Sequence, residues 1–146
     1  QAYQYEVSPN RLAVVYRKLT TLQPEDGAGY LRLAETLLDL EQPKDAEAVL
    51  DEAAERLDKD DARYLALAGR TARAMGRYHE AVHLLRQALR EQLSEPEWRA
   101  ELGYALEGLG QHEQARLEWA WVERASINPA HRLTARQRLG LPEGAP

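Results

Sequence analysis

The sequence has no cysteine, no phenylalanine and a single methionine. Without cysteine, the chain cannot form disulfides, use a thiol nucleophile or bind a metal through cysteine. It contains no apolar run near the roughly 18 residues that a membrane-spanning helix needs. The formal net charge of -5 argues against nucleic acid as the main partner. Cysteine usage leaves the compartment open, since bacterial cytoplasm and periplasm are both compatible.

The 146 residues are instead rich in alanine, leucine, glutamate and arginine, which favour helix. The chain begins at Gln1 rather than methionine. We interpret this start as that of a processed or excised piece of a longer protein.

Small residues recur along the chain with a period of about 34 residues. Gly69 lies in one helical run, which is predicted to end at Met75-Gly76, and Ala81 and Leu85 lie in the next run. Gly110 is predicted to end the equivalent run about 34 residues later. The equivalent positions are Ala34, Gly69 and Gly103 in the first helix, then Ala46, Ala81 and Ala115, then Leu50, Leu85 and Trp119 in the second. Three copies in phase predict stacked pairs of helices in which small residues allow close approach and large ones fill the space beyond.

This pattern resembles the tetratricopeptide repeat family over about residues 27–129. The bulky residue near the start of each unit is Tyr30, Leu65 or Trp98, and the leucine before the small residue is Leu33 or Leu102, with Ala68 departing. The closing proline is replaced by Asp58 and Leu93 and displaced to Pro129. The resemblance implies an all-α, right-handed superhelical solenoid of three helix-turn-helix repeats, with an extra N-terminal helix and a C-terminal capping helix. A mixed helical bundle is the structural alternative.

The chain divides accordingly into six segments. They are an N-terminal arm or tail (1–8), a solitary helix equivalent to half a repeat (9–26), three repeats (27–60, 62–95 and 96–129), and a capping helix with a tail (130–146). Ser94 and Glu97 are predicted to form a capping box at the start of the third repeat. A terminal helix with a polar outer side is what an array needs to stay in solution.

The resemblance also implies an inner groove, lined by the first helix of each repeat, that binds a peptide or helix. The predicted groove residues are Arg32, Glu35, Asp39, Arg63, Leu67, Arg70, Arg73, Glu97, Glu101, Tyr104 and Glu107, with Leu31, Leu38, Ala66 and Ala100 on the same face. Two interpretations of the charges are open. Arg70 and Arg73 would bind carboxylates of a partner while the acidic stripe prefers lysine or arginine. Alternatively, the groove arginines pair with carboxylates on neighbouring helices.

One kind of partner can be excluded by the residues present. Some family members clamp the acidic C-terminal tail of chaperones with lysine, arginine and asparagine. The corresponding places here hold Leu31, Glu35, Leu67, Glu97 and Glu101. Carboxylates of the tail would face carboxylates of the groove, so this mode of binding is not expected.

The segment His79-Glu80-Ala81-Val82-His83 matches the H-E-x-x-H pattern. Two histidines at i and i+4 on a helix can share a zinc ion, with the glutamate as base. Arg86 stands where the extended zinc-protease motif has glycine, however, and no third ligand is evident. With Ala81 turned inward, both histidines are expected to face outward, and we expect no metal or cofactor.

We therefore expect a non-catalytic scaffold that binds a protein segment, with neither nucleic acid nor membrane as partner. A first alternative is a structural segment of a longer array in a bacterial envelope assembly or secretion machine, such as exopolysaccharide export or cytochrome maturation, self-associating through its open N-terminal end. A second is a zinc hydrolase using His79, Glu80 and His83.

Overall fold

Residues 7–92 and 94–144 are described by the computed structural model, and they form eight helices and no strand. The helices are α1 (Pro9–Leu22), α2 (Gly27–Asp39), α3 (Pro43–Ala54), α4 (Ala62–Ala74), α5 (Tyr78–Glu91), α6 (Pro96–Gly108), α7 (His112–Ala125) and α8 (Pro129–Leu139). Most of the predicted arm (residues 1–6), residue 93 of the predicted second repeat and residues 145–146 of the tail lie outside the described residues. The repeat boundaries themselves stay a prediction.

Successive helices pack as hairpins that stack side by side. The most extensive contacts join α2 to α3, α4 to α5 and α6 to α7. Neighbouring hairpins meet through α3 with α4 and α5 with α6, while α1 covers α2 and α8 packs on α7. The first helices also touch one another in the order α2, α4, α6 and α8. These four helices form one continuous layer, and the groove described below runs along it.

The turn inside each hairpin uses the same backbone geometry. Its left-handed residue is Glu41, Gly76 or Gly110, with φ of 58°, 78° and 75°. The next residue donates its N–H to the carbonyl five positions back, which satisfies a free carbonyl at the end of the helix. These bonds join Gln42 to Leu37 (2.9 Å), Arg77 to Ala72 (2.8 Å) and Gln111 to Leu106 (2.9 Å). The glycines predicted to end the first helices therefore do so, and Glu41 adopts the same conformation without being glycine.

The small residues of the first helices allow the second helices to approach closely. A β-carbon on Gly69 would lie 2.7 Å from Cγ of Leu85 and 3.4 Å from the carbonyl oxygen of Ala81. A β-carbon on Gly103 would lie 2.8 Å from the indole ring of Trp119. Real carbon contacts are about 3.5–4.0 Å, so neither site has room for a methyl group. The predicted close packing of Gly69 against the following helix is confirmed.

We expect Gly103→Ala to lower the free energy of unfolding by about 1–2 kcal/mol, since overpacking costs more than the roughly 1 kcal/mol that alanine gains in helix propensity. Gly29→Ala is the matched control, because its added carbon would be no closer than 3.8 Å to another side chain. Urea titrations followed by circular dichroism should show no loss for Gly29→Ala. Equal stability of the two variants would contradict tight packing at Gly103.

Helix starts use side-chain caps at some ends and not at others. Asp26 accepts a hydrogen bond from the N–H of Ala28, and Asp61 accepts one from Tyr64. The predicted capping box of Ser94 and Glu97 is wrong. The N-cap of α6 is Glu95, which makes no side-chain cap bond, because the helix begins at Pro96, one residue later than the box requires.

Candidate interaction groove

A cavity of about 410 Å³ opens on the layer formed by α2, α4, α6 and α8. We call it the inner groove. Its lining residues are Glu35 and Asp39 of α2, Ala66, Leu67 and Arg70 of α4, Glu97, Trp98, Ala100, Glu101 and Tyr104 of α6, Trp119 of α7, and His131 and Thr134 of α8. The groove thus combines small and aromatic side chains with charged ones.

Arg70 and Arg73 are occupied by carboxylates of neighbouring helices. Nη2 of Arg70 donates to Oδ1 of Asp39 at 2.9 Å, and its Nε lies 3.6 Å from Oε1 of Glu101. Arg73 binds Glu101 through two parallel bonds, with Nε 2.6 Å from Oε2 and Nη2 3.2 Å from Oε1. This chain of ion pairs links α2, α4 and α6 across the groove. Of the two interpretations of the groove charges, the structure places these two arginines in the internal one.

Tyr104 and Glu107 are held by the last two helices. The ring of Tyr104 meets that of Trp119 edge to face, with centroids 4.8 Å apart. Glu107 accepts hydrogen bonds from Nε1 of Trp119 (2.8 Å) and Nη1 of Arg138 (3.0 Å). The guanidinium groups of Arg73 and Arg138 lie 5.1 and 5.0 Å from the Tyr104 ring centroid. This end of the groove is therefore a fixed aromatic and charged cluster.

Glu35 and Glu97 remain available at the rim. Both side chains are exposed, and neither has an ion pair among the residues that the structure describes. The groove lining holds four carboxylates against one arginine, Arg70, with Arg73 beside it. The lining of the groove consequently carries a net negative charge. Two of its four carboxylates, Glu35 and Glu97, have no ion pair within the described ranges, and the exposed Arg63 lies in the adjoining pocket.

Two family models, both described as Tetratricopeptide repeat, match residues 13–70 and 66–126. The chain is a tetratricopeptide repeat protein. Together the two matches extend from α1 to the end of α7. A comparison with proteins of curated function found no match.

Solved structures with the same fold include other repeat proteins of this kind. The crystal structure of MamA is 21% identical, with 90% of this chain and 75% of that chain covered and a TM-score of 0.70. TTC0263, a thermophilic TPR protein of Thermus thermophilus, is 22% identical, with 91% and 74% covered and a TM-score of 0.75. YrrB, described as a TPR protein with an unusual peptide-binding site, is 25% identical, with 88% and 64% covered and a TM-score of 0.70. The all-α tetratricopeptide solenoid predicted from the sequence is confirmed.

Seven of the eleven predicted groove residues line the inner groove of this tetratricopeptide repeat protein, namely Glu35, Asp39, Leu67, Arg70, Glu97, Glu101 and Tyr104. Arg63 lines an adjoining pocket, Arg73 lies on the next pocket along, and Glu107 is tied to Trp119 and Arg138. Arg32 lines a separate pocket beside α1. Whether these residues bind a partner stays a prediction.

Some groove positions were assigned wrongly or missed. Leu31 is only 2% exposed, in a core cluster with Ala13 of α1, so it is not available to a partner. Leu38 is likewise buried in this cluster. His131 and Thr134 of α8 were missed because the resemblance places groove residues on the repeats and gives none to the capping helix. Their spacing of three residues, which puts both on one helix face, was the available signal.

The H-E-x-x-H segment lies at the start of α5, with His79 and His83 exposed and Ala81 fully buried, as expected. No three histidine, aspartate or glutamate side chains within residues 7–92 and 94–144 are grouped as metal ligands. No helix in the same ranges has the length and hydropathy of a membrane span.

Two groups away from the groove have a raised pKa. Burial raises the pKa of Tyr64, and the charge of Asp51 adds to this effect. A hydrogen bond with Glu47 raises the pKa of Arg77, with a smaller contribution from Glu80. Both shifts hold each group in its ordinary protonation state at neutral pH, so neither shift prepares a general acid or base.

Proposed function

We propose that this chain is a non-catalytic scaffold whose inner groove binds a segment of another protein, and that this segment presents lysine or arginine side chains. The observation that carries the proposal is the charge pairing in the groove. Arg70, and Arg73 beside it, are already bound to Asp39 and Glu101, whereas Glu35 and Glu97 are exposed and have no ion pair among the described residues.

An acidic partner segment would have to compete with these internal pairs. A carboxylate that took Arg73 would break two hydrogen bonds to Glu101 and leave Glu101, whose side chain is 17% exposed, without its closest cation. Removing one partner of such a pair costs more than the pair itself contributes. A lysine or arginine meets no such competition, since it binds carboxylates that have no internal partner.

The apolar part of the groove suits the stem of a long cationic side chain. Ala100 is small and half-buried, the ring of Trp98 is also half-buried, and the buried Ala66 completes the apolar lining. Lysine and arginine cover apolar surface with their methylene groups while the charged head stays in water. A guanidinium group also stacks on tryptophan. The similarity to YrrB, whose description mentions a peptide-binding site, supports a peptide as the form of the partner.

Photo-crosslinking would test the proposal. A photoreactive amino acid at Ala100, in the groove, should capture a partner segment rich in lysine and arginine from the native host. The same group at Leu117, which is 72% exposed and does not line the groove, is the matched control. Capture of acidic segments at Ala100, or of the same partners at both positions, would contradict the proposal.

A second candidate, a structural segment of a longer array, is favoured by the outer surface of α1. Val14 and Leu22 are 68% and 69% exposed, and Val15 and Leu19 are also exposed. The buried residues of this helix are Ala13 and Thr20 instead. An exposed row of apolar side chains at one end of a stack of helix pairs is suited to further stacking.

We expect the isolated chain to self-associate in proportion to concentration, and Val14→Glu with Leu22→Glu to make it monomeric. Multi-angle light scattering would measure the mass directly. Leu117→Glu, which changes an equally exposed leucine on α7, should leave association unchanged. A monomer at all concentrations would argue against stacking through α1.

A further inference from the structure

A second pocket lies away from the inner groove, on the second helix of a pair. It has a volume of about 360 Å³, and we call it the α5–α7 pocket. Histidines and arginines of α5 line it at positions 79, 83, 86 and 90, which repeat at helical spacing along one face. Val82, Leu109 and Gln111 complete the lining. The pocket therefore concentrates cationic and titratable side chains on one stripe of α5.

The described residues that line this pocket include two arginines and no carboxylate. The whole chain has a net charge of -5, yet no aspartate or glutamate lines the pocket. Arg86 donates from Nη2 to Oε1 of Gln114, a neutral group, at 3.0 Å. Neither Arg86 nor Arg90 has an ion pair within the described ranges. Two acidic residues flank this stripe in sequence: Glu80 is bound to Arg77, and Glu91, next to Arg90, does not line the pocket.

We propose that the α5–α7 pocket binds a phosphate group. Two guanidinium groups four residues apart offer forks of N–H donors to its oxygens, and protonated imidazoles add two more donors. Gln111 is the N-cap of α7 but makes no side-chain cap bond, so its amide is available to the ligand. This site shares no residue with the inner groove and does not depend on the proposed partner segment.

The same residues disfavour the alternative of a metal ion on His79 and His83. Arg86 and Arg90 put two fixed positive charges in the pocket that a zinc ion would enter, and no carboxylate completes the ligand set. A zinc ion bound to His79 and His83 would be repelled by these two guanidinium groups, because like charges repel. An anion is attracted by the same two arginines that would repel a cation.

Binding should strengthen as pH falls, because an imidazolium offers an anion a positive charge and a second N–H donor. The charged groups that face the imidazoles are Arg86 and Arg90 of the same helix. The turn between α6 and α7 contributes only Leu109 and Gln111, and α4 contributes nothing to the lining. Sulfate is the probe for this dependence, since it stays a dianion throughout and only the protein titrates.

NMR titration of the full chain with inorganic phosphate would test the site. We expect saturable shifts at the amides of Val82, His83 and Gln111, and an affinity at least tenfold lower in Arg86→Gln with Arg90→Gln. The phosphate group could belong to a phosphorylated side chain or to free inorganic phosphate, and titration with phosphoserine distinguishes the two. Tighter binding of phosphoserine than of free phosphate would indicate a phosphorylated side chain, and equal binding would indicate the free anion. With sulfate, His79→Gln with His83→Gln should abolish the gain at low pH.

Arg116→Gln with Arg124→Gln is the matched control, because it removes two exposed arginines of α7 that do not line the pocket. This variant should bind phosphate as the original chain does. A linear, unsaturated response, or equal losses in the two double variants, would overturn the proposal. Succinate binding as tightly as phosphate would also overturn it.

Discussion

Trp119→Ala is expected to lower the free energy of unfolding by about 3–5 kcal/mol, the usual cost of deleting a large buried aromatic ring. Trp119 is only 1% exposed and fills the notch left by Gly103. It also contacts Tyr104 and donates to Glu107. Its removal leaves a cavity where α6, α7 and the groove meet. Since domains are stable by only about 5–15 kcal/mol, much of the folded state's margin would be lost.

Two further variants separate burial from polar contacts. Trp121→Ala removes the half-buried tryptophan whose ring lies 4.4 Å from the Arg99 guanidinium, and should cost much less than Trp119→Ala. Trp119→Phe keeps most of the ring but loses the bond to Glu107, which should cost about 1 kcal/mol beyond the packing change. Urea unfolding followed by circular dichroism measures all three. Similar losses for Trp119→Ala and Trp121→Ala would contradict the packing described for α7.

Reversing the two unpaired carboxylates of the groove should have the largest effect on binding. We expect Glu35→Lys with Glu97→Lys to weaken capture of a lysine- or arginine-rich segment by about 100-fold, because two attractions become repulsions. Fluorescence anisotropy of the segment identified by crosslinking would measure the change, and added salt should reduce it. Stability should change little, since both side chains are exposed without ion pairs.

The control must change the net charge equally without touching the groove. Glu52→Lys with Glu91→Lys does so on α3 and α5, where both residues are exposed. Equal weakening in the two double variants would show a general charge effect and refute a specific role for the groove. Undiminished binding in Glu35→Lys with Glu97→Lys would refute it as well.

The fold was predictable because its determinants are local and repeated. Gly69, Gly103 and their partner alanines recur at equivalent positions. A helix pair that is hard to assign from one repeat can therefore be assigned from the other repeats. Gly76 and Gly110 ended their helices as the sequence indicated. The capping box failed for the opposite reason. It depends on a single helix end, and Pro96 fits the first position of α6 without help from Ser94.

The position of the groove was predictable from the sequence, but the ion pairs of its arginines were not. Helical phase placed Arg70 and Glu101 on the inner face, and they lie there. Whether an arginine bonds a partner or a neighbouring helix depends on rotamers and distances between helices, which a sequence does not give. Because of this pairing, reversing the charges of Arg70 and Arg73 would not be a clean test of binding. Reversing Arg70 and Arg73 would put new carboxylates beside Asp39 and Glu101, and we expect lost stability to obscure any effect on binding.

Leu31 was predicted to line the groove because of its position in the repeat, but it is buried. Ala66 and Ala100, at the equivalent positions of the next repeats, line the groove. Leu31 is larger and belongs to the cluster that includes Ala13 of α1. The covering of α2 by α1 is a tertiary contact at the end of the array, so periodicity alone could not reveal it.

We expect the inner groove to receive a basic polypeptide because Arg70 and Arg73 are already neutralised by Asp39 and Glu101. NMR shift mapping with two peptides of equal length, one rich in lysine and arginine and one rich in aspartate and glutamate, tests it most directly. The basic peptide should shift the amides of Leu67, Ala100 and Glu101, and the acidic peptide should leave them unchanged. Shifts at these amides with the acidic peptide, or basic-peptide shifts confined to α3, α5 and α7, would contradict it.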